Sequence, residues 1–372
     1  MLSAEDFTAA GLYDSSLHAG TERFELLEWL ESLGFTIAQM QAADEQGALS
    51  SLAGDSRVMP GSRLSRDEAI EMSGLDAASF DAFVTGLGFV GMSPASAEKI
   101  GFTVDEVTAI VVLGSISPMF SFGEVMGFAR VLGSSLGRIG EAAVSLFLTD
   151  VEGPHLDAGE SEFGLAKKVY EAVGMLDELS RQLDPILRRQ VMQATERTRE
   201  AIEGNERRLM RFAVGFVDLV GFTERAVAMT AIDLTNFVRE FEGRAHDVMT
   251  QNGARVVKLI GDEVMFIATD PDAACRAAGA LMKGFDEVGD RVLPRGGLAY
   301  GEVLVRGGDY YGSVVNLASR LVNEAVPQEV LVTDDLATAA TSCTFEPAGR
   351  RVVKGFPDPI SVHSLVVSEP SS

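Results

Sequence analysis

Phe212-Ala213-Val214-Gly215-Phe216-Val217-Asp218 is an apolar run of strand length closed by a carboxylate, and the character of the chain changes at this point. Ahead of it, apolar residues recur at helical spacing in Phe24, Leu27, Leu30 and Leu33, and again in Leu165, Val169, Val173 and Leu176. Few segments there alternate as strands do. Behind it, residues 234–249 carry the pattern of an amphipathic helix, and residues 255–258 and 264–268 read as two strands around Gly261-Asp262-Glu263, a hairpin with a carboxylate at its tip. A helix over 272–286, strands at 295–300 and 302–306, a helix at 314–323, a strand at 330–333 and a terminal pair at 351–354 and 360–366 complete the pattern. Strands and helices that alternate in this way predict an α+β sheet domain behind an all-helical one.

The size of the chain agrees, since 372 residues exceed one ordinary domain and suit two, each with its own core. A hydrophobic fraction of 46% and a charged fraction of 23% are those of a globular protein. The net charge of −24 argues against any broad surface for nucleic acid or anionic membrane, so a nucleotide would need a local basic site. Cys275 and Cys343 are too few for a disulfide framework, and no basic segment followed by an apolar one opens the chain, so a cytoplasmic location is expected. The apolar segment 107–120 is interrupted by Gly114, Ser115, Ser117 and Pro118 and falls short of the roughly 20 apolar residues of a membrane span. It reads as buried helix, and no membrane span is expected.

Within the first half, Leu64 to Ile70 leads through Gly74-Leu75 to Phe80, Phe83 and Leu87, the pattern of two short helices around a Gly turn. DNA binding would need cations on the second of these helices, but residues 77–86 carry Asp81 and neither Lys nor Arg, so a packing motif is expected. From Leu183 to Arg211 the sequence is highly charged and helix-prone, with Pro185 placed for a first turn. This reads as a connecting helix. The expected organisation is a helical domain over 1–182, the connecting helix over 183–205 and the α+β domain over 206–372. The closing Ser-Glu-Pro-Ser-Ser has the composition of a disordered tail.

Asp218 and Asp262 both lie where strands end. Either alone would commonly be a turn former. Together, carboxylates from adjacent strand ends can bridge a pair of divalent ions that activate a hydroxyl and hold phosphates. Gly221, after Asp218, would let backbone N–H groups approach a polyphosphate. Asn316 and Arg320 stand four apart in a helical stretch and so point the same way.

In Phe216-Val217-Asp218-Leu219-Val220-Gly221-Phe222-Thr223, in Val257-Lys258-Leu259-Ile260-Gly261-Asp262-Glu263-Val264-Met265-Phe266 and in the run from Asp309 to Arg320, the chain resembles the class III nucleotidyl cyclase catalytic domain. The resemblance implies a ferredoxin-like sheet domain over residues 211–366, with Asp218 and Asp262 holding two Mg²⁺ or Mn²⁺ ions. It makes Lys258 and Asp309 the pair that reads the base, with Phe222 and Thr223 beside the substrate. Asn316 would orient the ribose, while Arg320 and Lys354 would stabilise charge on the phosphates. A Lys that donates and an Asp that accepts complement adenine N1 and N6, whereas guanine faces them with the wrong partners. ATP is therefore the expected substrate and 3′,5′-cyclic AMP the product. The family assembles its sites between two protomers, which implies a homodimer.

Residues 1–205 resemble, more loosely, the helical regulatory domain of soluble actinobacterial adenylyl cyclases, which implies autoinhibition through the connecting helix. Its signal could be a small molecule, a lipid held by Met119, Phe120, Phe122, Met126 and Phe128, or a proton taken up at His18 or His155. The alternatives are a non-catalytic nucleotide sensor or helix-turn-helix regulator on a cyclase-like fold, and a diguanylate cyclase. Gly307-Gly308-Asp309 is superficially like the signature of the latter but leads into Tyr-Tyr-Gly.

Overall fold

The helical spacing of the first half is realised as helices, several of them short and started by local capping. Ser65 with Glu68, and Thr103 with Glu106, form reciprocal capping boxes that satisfy the first free N–H groups. The computed structural model describes residues 2–18, 21–89, 101–116, 119–202, 209–283 and 293–367. The chain divides into two units, Met1–Arg188 and Arg189–Ser372.

In the first unit, α1 (Ala4–Ala9), α2 (Arg23–Ser32), α3 (Ile37–Glu45) and α4 (Leu52–Val58) pack around Phe7, Leu26, Leu27, Leu30 and Met40. Buried Arg23 bonds Glu162 at 2.7 Å, Asp44 and the Leu12 carbonyl, the pairing that a cation removed from water requires. α5 (Arg66–Ser73) and α6 (Ala77–Gly86) meet across Gly74, which takes a φ of 66°. This is the expected pair of helices, and Asp81 is engaged with Arg66 at 2.6 Å.

With α7 (Val104–Ser115) and α8 (Phe122–Phe147), these helices enclose Phe80, Phe83, Phe102, Val107 and Ile110. The buried helix expected over 107–120 is found as α7, which buries Val107, Ile110 and Leu113 on one side and leaves Val112 exposed. Of the apolar residues proposed for a lipid, Met126 is core, while Met119, Phe120, Phe122 and Phe128 are exposed. α8 continues through a π turn at Leu148–Glu152 into α9 (Gly153–Asp157). By length and composition alone, Phe122–Asp157 could cross a membrane, an 18-residue window within it having a mean hydropathy of 1.3. His155 is 1% exposed, with Nε2 against the Ser161 carbonyl and Nδ1 2.9 Å from Glu160, whereas His18 Nδ1 accepts the Asp14 N–H at 3.0 Å.

α10 spans Glu162–Ala201, and Pro185 lies inside it. The expected start near 183 is corrected, because the helical apolar spacing at Leu165, Val169 and Val173 belongs to the same helix. The missing Pro185 N–H falls on an exposed stretch where water reaches the freed carbonyl. The expected boundary near 205 and the Ser368–Ser372 tail lie outside the described residues.

The second unit runs β1 (Leu209–Val220), α11 (Phe222–Ala226), α12 (Ala231–Gln251), β2 (Arg255–Ile260), β3 (Glu263–Ala268), α13 (Pro271–Lys283), β4 (Leu293–Arg306), β5 (Asp309–Tyr311), α14 (Ser313–Glu324), β6 (Val330–Thr333), α15 (Asp334–Ala339), β7 (Phe345–Arg351) and β8 (Ile360–Leu365). The strand order is β2-β3-β1-β4-β6-β8-β7 with β5 on β4, and β4 and β6 pair in parallel. The two strands expected at 295–300 and 302–306 form one, and α15 was not foreseen.

β1 alternates as its period demands. Phe212, Val214 and Phe216 join Met265, Ile267 and Val303 under α14, while Ala213, Val217 and Leu219 face Phe241, Ala245 and Leu281 of α12 and α13. Gly297 lets α14 lie directly on β4, since a Cβ there would sit 2.6 Å from the Val322 nitrogen.

Asp272, 9% exposed at the start of α13, accepts the Ser342 N–H at 2.8 Å and the Thr341 N–H at 3.1 Å. Burial pushes its carboxyl upward, but these bonds outweigh it and hold the group below its ordinary 3.8. Asp272→Asn is expected to cost about 1–3 kcal/mol at neutral pH. A depressed carboxylate contributes stability above its unfolded value and loses it as pH falls through the folded one. The difference in urea denaturation between variant and parent should therefore shrink below about pH 4.

Candidate active site

Asp218 lies near the C-terminal end of β1, opposite Glu263 of β3 on one side and Arg295 of β4 on the other. Period-2 alternation sends all three to the α14 face of the sheet. Arg295 donates to Asp218 Oδ2 from Nη2 at 2.9 Å and from Nε at 3.1 Å. Asp262 occupies the turn between β2 and β3, next to Glu263. Burial raises the Asp262 carboxyl, and the Asp218 charge raises it further. Glu263 is pushed up to about 7, first by burial and then by Asp218 and Asp262, with Arg295 opposing.

Carboxylates that raise one another's proton affinity lack cation, and a divalent ion would offset their repulsion. Asp218 and Asp262 are the two carboxylates that the sequence motifs put forward for such an ion. Among the described residues, no group of three or more His, Cys, Asp or Glu side chains is arranged as a complete metal cage. Two protein carboxylates with the remaining positions left to water and phosphate oxygens are the usual provision for Mg²⁺.

Lys258 and Asp309, 51 residues apart, meet at 2.7 Å between β2 and β5. The register shifts between Val256 and Lys258, and Arg255 and Lys258 stand opposite Ile267 and Met265, two residues of the same face. A regular strand would send residues three apart to opposite faces, so the irregularity brings Arg255 and Lys258 together.

Arg320 and exposed Asn316 lie on α14. The Arg320 guanidinium rests over the turn at residues 354–355, and a Cβ on Gly355, at φ 85°, would sit 2.5 Å from Arg320 Nη1. The Phe356 ring centroid is 6.0 Å from the guanidinium carbon. Lys354 is exposed in this turn, so the strand expected at 351–354 is corrected: β7 stops at Arg351 and the chain turns over α14. The buried Phe222 ring stacks on Phe237 at 5.1 Å, which leaves only its backbone to meet a ligand. The Thr223 side chain lies outside the described residues.

Sequence reasoning missed Glu263 and Arg295. Glu263 was visible as the neighbour of Asp262 in the hairpin tip, but nothing short of strand register pointed to Arg295.

The chain thus joins a helical N-terminal region to a mixed α+β sheet domain. No protein-family model matches the chain. A Mycobacterium tuberculosis protein described as uncharacterized is 30% identical over 349 residues, 92% of this chain and 90% of its own. The adenylate cyclase of Streptomyces coelicolor is 32% identical over 269 residues, 71% of this chain and 68% of that one. The crystal structure of the adenylyl cyclase CyaB from P. aeruginosa matches with 23% identity and a TM-score of 0.40, over 44% of this chain and 96% of its own. The chain belongs to the class III nucleotidyl cyclases, and this relatedness supports nucleotide cyclase activity.

Arg295→Ala should destabilise the chain, because it strands Asp218 beside two other carboxylates. Asp218→Asn in the same chain should restore part of the loss. A double-mutant cycle read by chemical denaturation is expected to give a coupling of about 1–2 kcal/mol. A coupling near zero would remove Arg295 as the partner of Asp218.

Proposed function

We propose that the chain is a cytoplasmic adenylyl cyclase that converts ATP to 3′,5′-cyclic AMP and pyrophosphate at sites shared between two copies, under restraint from its N-terminal unit. The observation that carries the substrate assignment is the Lys258–Asp309 contact at 2.7 Å. It supplies a donor and an acceptor side by side, the complement of adenine N1 and N6. Guanine would meet the Lys donor with its own N1–H and the Asp acceptor with O6, leaving both protein groups unsatisfied.

In this reading Asp218 and Asp262 hold two Mg²⁺ or Mn²⁺ ions, which when bound neutralise phosphate charge and favour ionisation of the ribose 3′-hydroxyl. Asn316 fixes the ribose so that its 3′-oxygen faces the α-phosphorus in line with the departing pyrophosphate. The new O–P bond closes the cyclic ester as the P–O bond to the β-phosphate breaks. Arg320 places positive charge where it develops on the α-phosphate, and exposed Lys354 meets the phosphates from the neighbouring turn. Gly355 matters here because it leaves room for the guanidinium.

Sharing between copies rests on family membership, and so does restraint by the N-terminal unit. α10 supplies a covalent path for such restraint, since Glu162–Ala201 spans the division between the two units.

The test is cyclic nucleotide formation with Mn²⁺ and either ATP or GTP. The chain is expected to prefer ATP, Asp262→Ala to abolish product and Arg320→Ala to lower kcat about 100- to 1,000-fold. Mixing Lys258→Ala chains with Asp262→Ala chains should recover activity through one intact site per mixed dimer. No recovery in properly mixed dimers would exclude the shared site, and a faster rate from residues 206–372 alone would support restraint.

A further inference from the structure

We propose that the second unit carries an anion site, apart from the residues assigned to catalysis, between the end of α10 and the sheet, and that its ligand is a small organic carboxylate. A cavity of about 290 Å³ lies there, with Arg197 and Thr198 of α10 on one wall and Arg255 of β2 and Tyr310 of β5 on the other. Arg255 reaches the Tyr310 hydroxyl at 3.5 Å. Neither Arg197 nor Arg255 forms an ion pair with a carboxylate among the described residues. Burial and the Arg255 charge both depress the proton affinity of Arg197, and the opposing effects of Tyr310, Glu196 and Glu200 are outweighed. Glu200 accepts a hydrogen bond from Thr269 at 2.9 Å.

Two guanidiniums that line one cavity with no carboxylate ion-paired to either among the described residues are unusual in a chain of net charge −24. A carboxylate resolves the arrangement, since each of its oxygens can accept from a planar guanidinium fork while its charge offsets the repulsion between the two. The rest of the lining selects an organic acid. Val191, Met210 and Phe212 give the cavity an apolar wall against which a hydrocarbon body loses its hydration. At about 290 Å³ the cavity stands at the lower limit of small-molecule sites, roughly 300–1,000 Å³, which suits a compact acid and not a nucleoside triphosphate. A ligand held there touches α10 and the strand that bears Lys258, three residues beyond Arg255. The site does not depend on the adenylyl cyclase assignment, because its evidence is charge and shape alone.

Titration calorimetry on the purified full chain, in buffer free of phosphate and other carboxylates, tests the site with benzoate as probe and benzamide as its uncharged counterpart. Saturable benzoate binding is expected, with no binding of benzamide. Arg197→Gln and Arg255→Gln should each weaken benzoate roughly tenfold or more. Val191 is 57% exposed, so Val191→Glu leaves folding intact and sets a fixed negative charge at the cavity, which should abolish binding. Absence of saturable benzoate binding to the unaltered chain overturns the proposal. So does equal affinity for benzamide, or benzoate binding that persists unchanged in the Val191→Glu chain.

Discussion

Strand β1 is buried along its middle and hydrogen-bonded on both edges, and the geometry of the second unit depends on it. A strand in that position cannot slip by one residue, because the slip would exchange the Phe212, Val214 and Phe216 face with the Ala213, Val217 and Leu219 face. Fixing the apolar faces also fixes Asp218. Its carboxylate must emerge on the α14 face, at the end where β3 and β4 present Glu263 and Arg295.

That placement sets up an electrostatic imbalance. Asp218, Asp262 and Glu263 crowd together at strand ends where solvent is partly excluded, and Arg295 alone among the named partners opposes them. Stability alone would favour fewer carboxylates. The raised Asp262 and Glu263 carboxyls reflect this excess of negative charge, which the proposed site for divalent cations would use. The basic residues named for phosphate lie apart from this cluster in sequence, on α14 and the turn after β7.

Much of this was legible in the residues. The change of period at Phe212, the hairpin tip at Asp262 and the helical pair Asn316 and Arg320 are local signals, and the elements were found close to where they lie. The failures share one cause. Pro185 was read as a helix start because proline favours first turns, yet an exposed helix of 40 residues tolerates it. Met119, Phe120, Phe122 and Phe128 were taken together as lining for an apolar pocket, but all four are exposed, since proximity in sequence does not bury side chains. Lys354 was expected at the end of a strand over 351–354, whereas the chain leaves the sheet at Arg351 to pass over α14.

The sequence by itself determined the helical first half, the α+β second half, the strand-end positions of Asp218 and Asp262 and the family to which these motifs belong. Each of those rests on period, composition or a short motif, which are properties of neighbouring residues. Only the tertiary structure decided that Lys258 touches Asp309, that Arg295 clamps Asp218, that Gly355 makes room for Arg320, and that Arg197 and Arg255 share a cavity. Those facts follow from strand register, from one irregularity between Val256 and Lys258 and from the close approach of α14 to the sheet. Such pairings are set by burying a common core, and no local pattern encodes them.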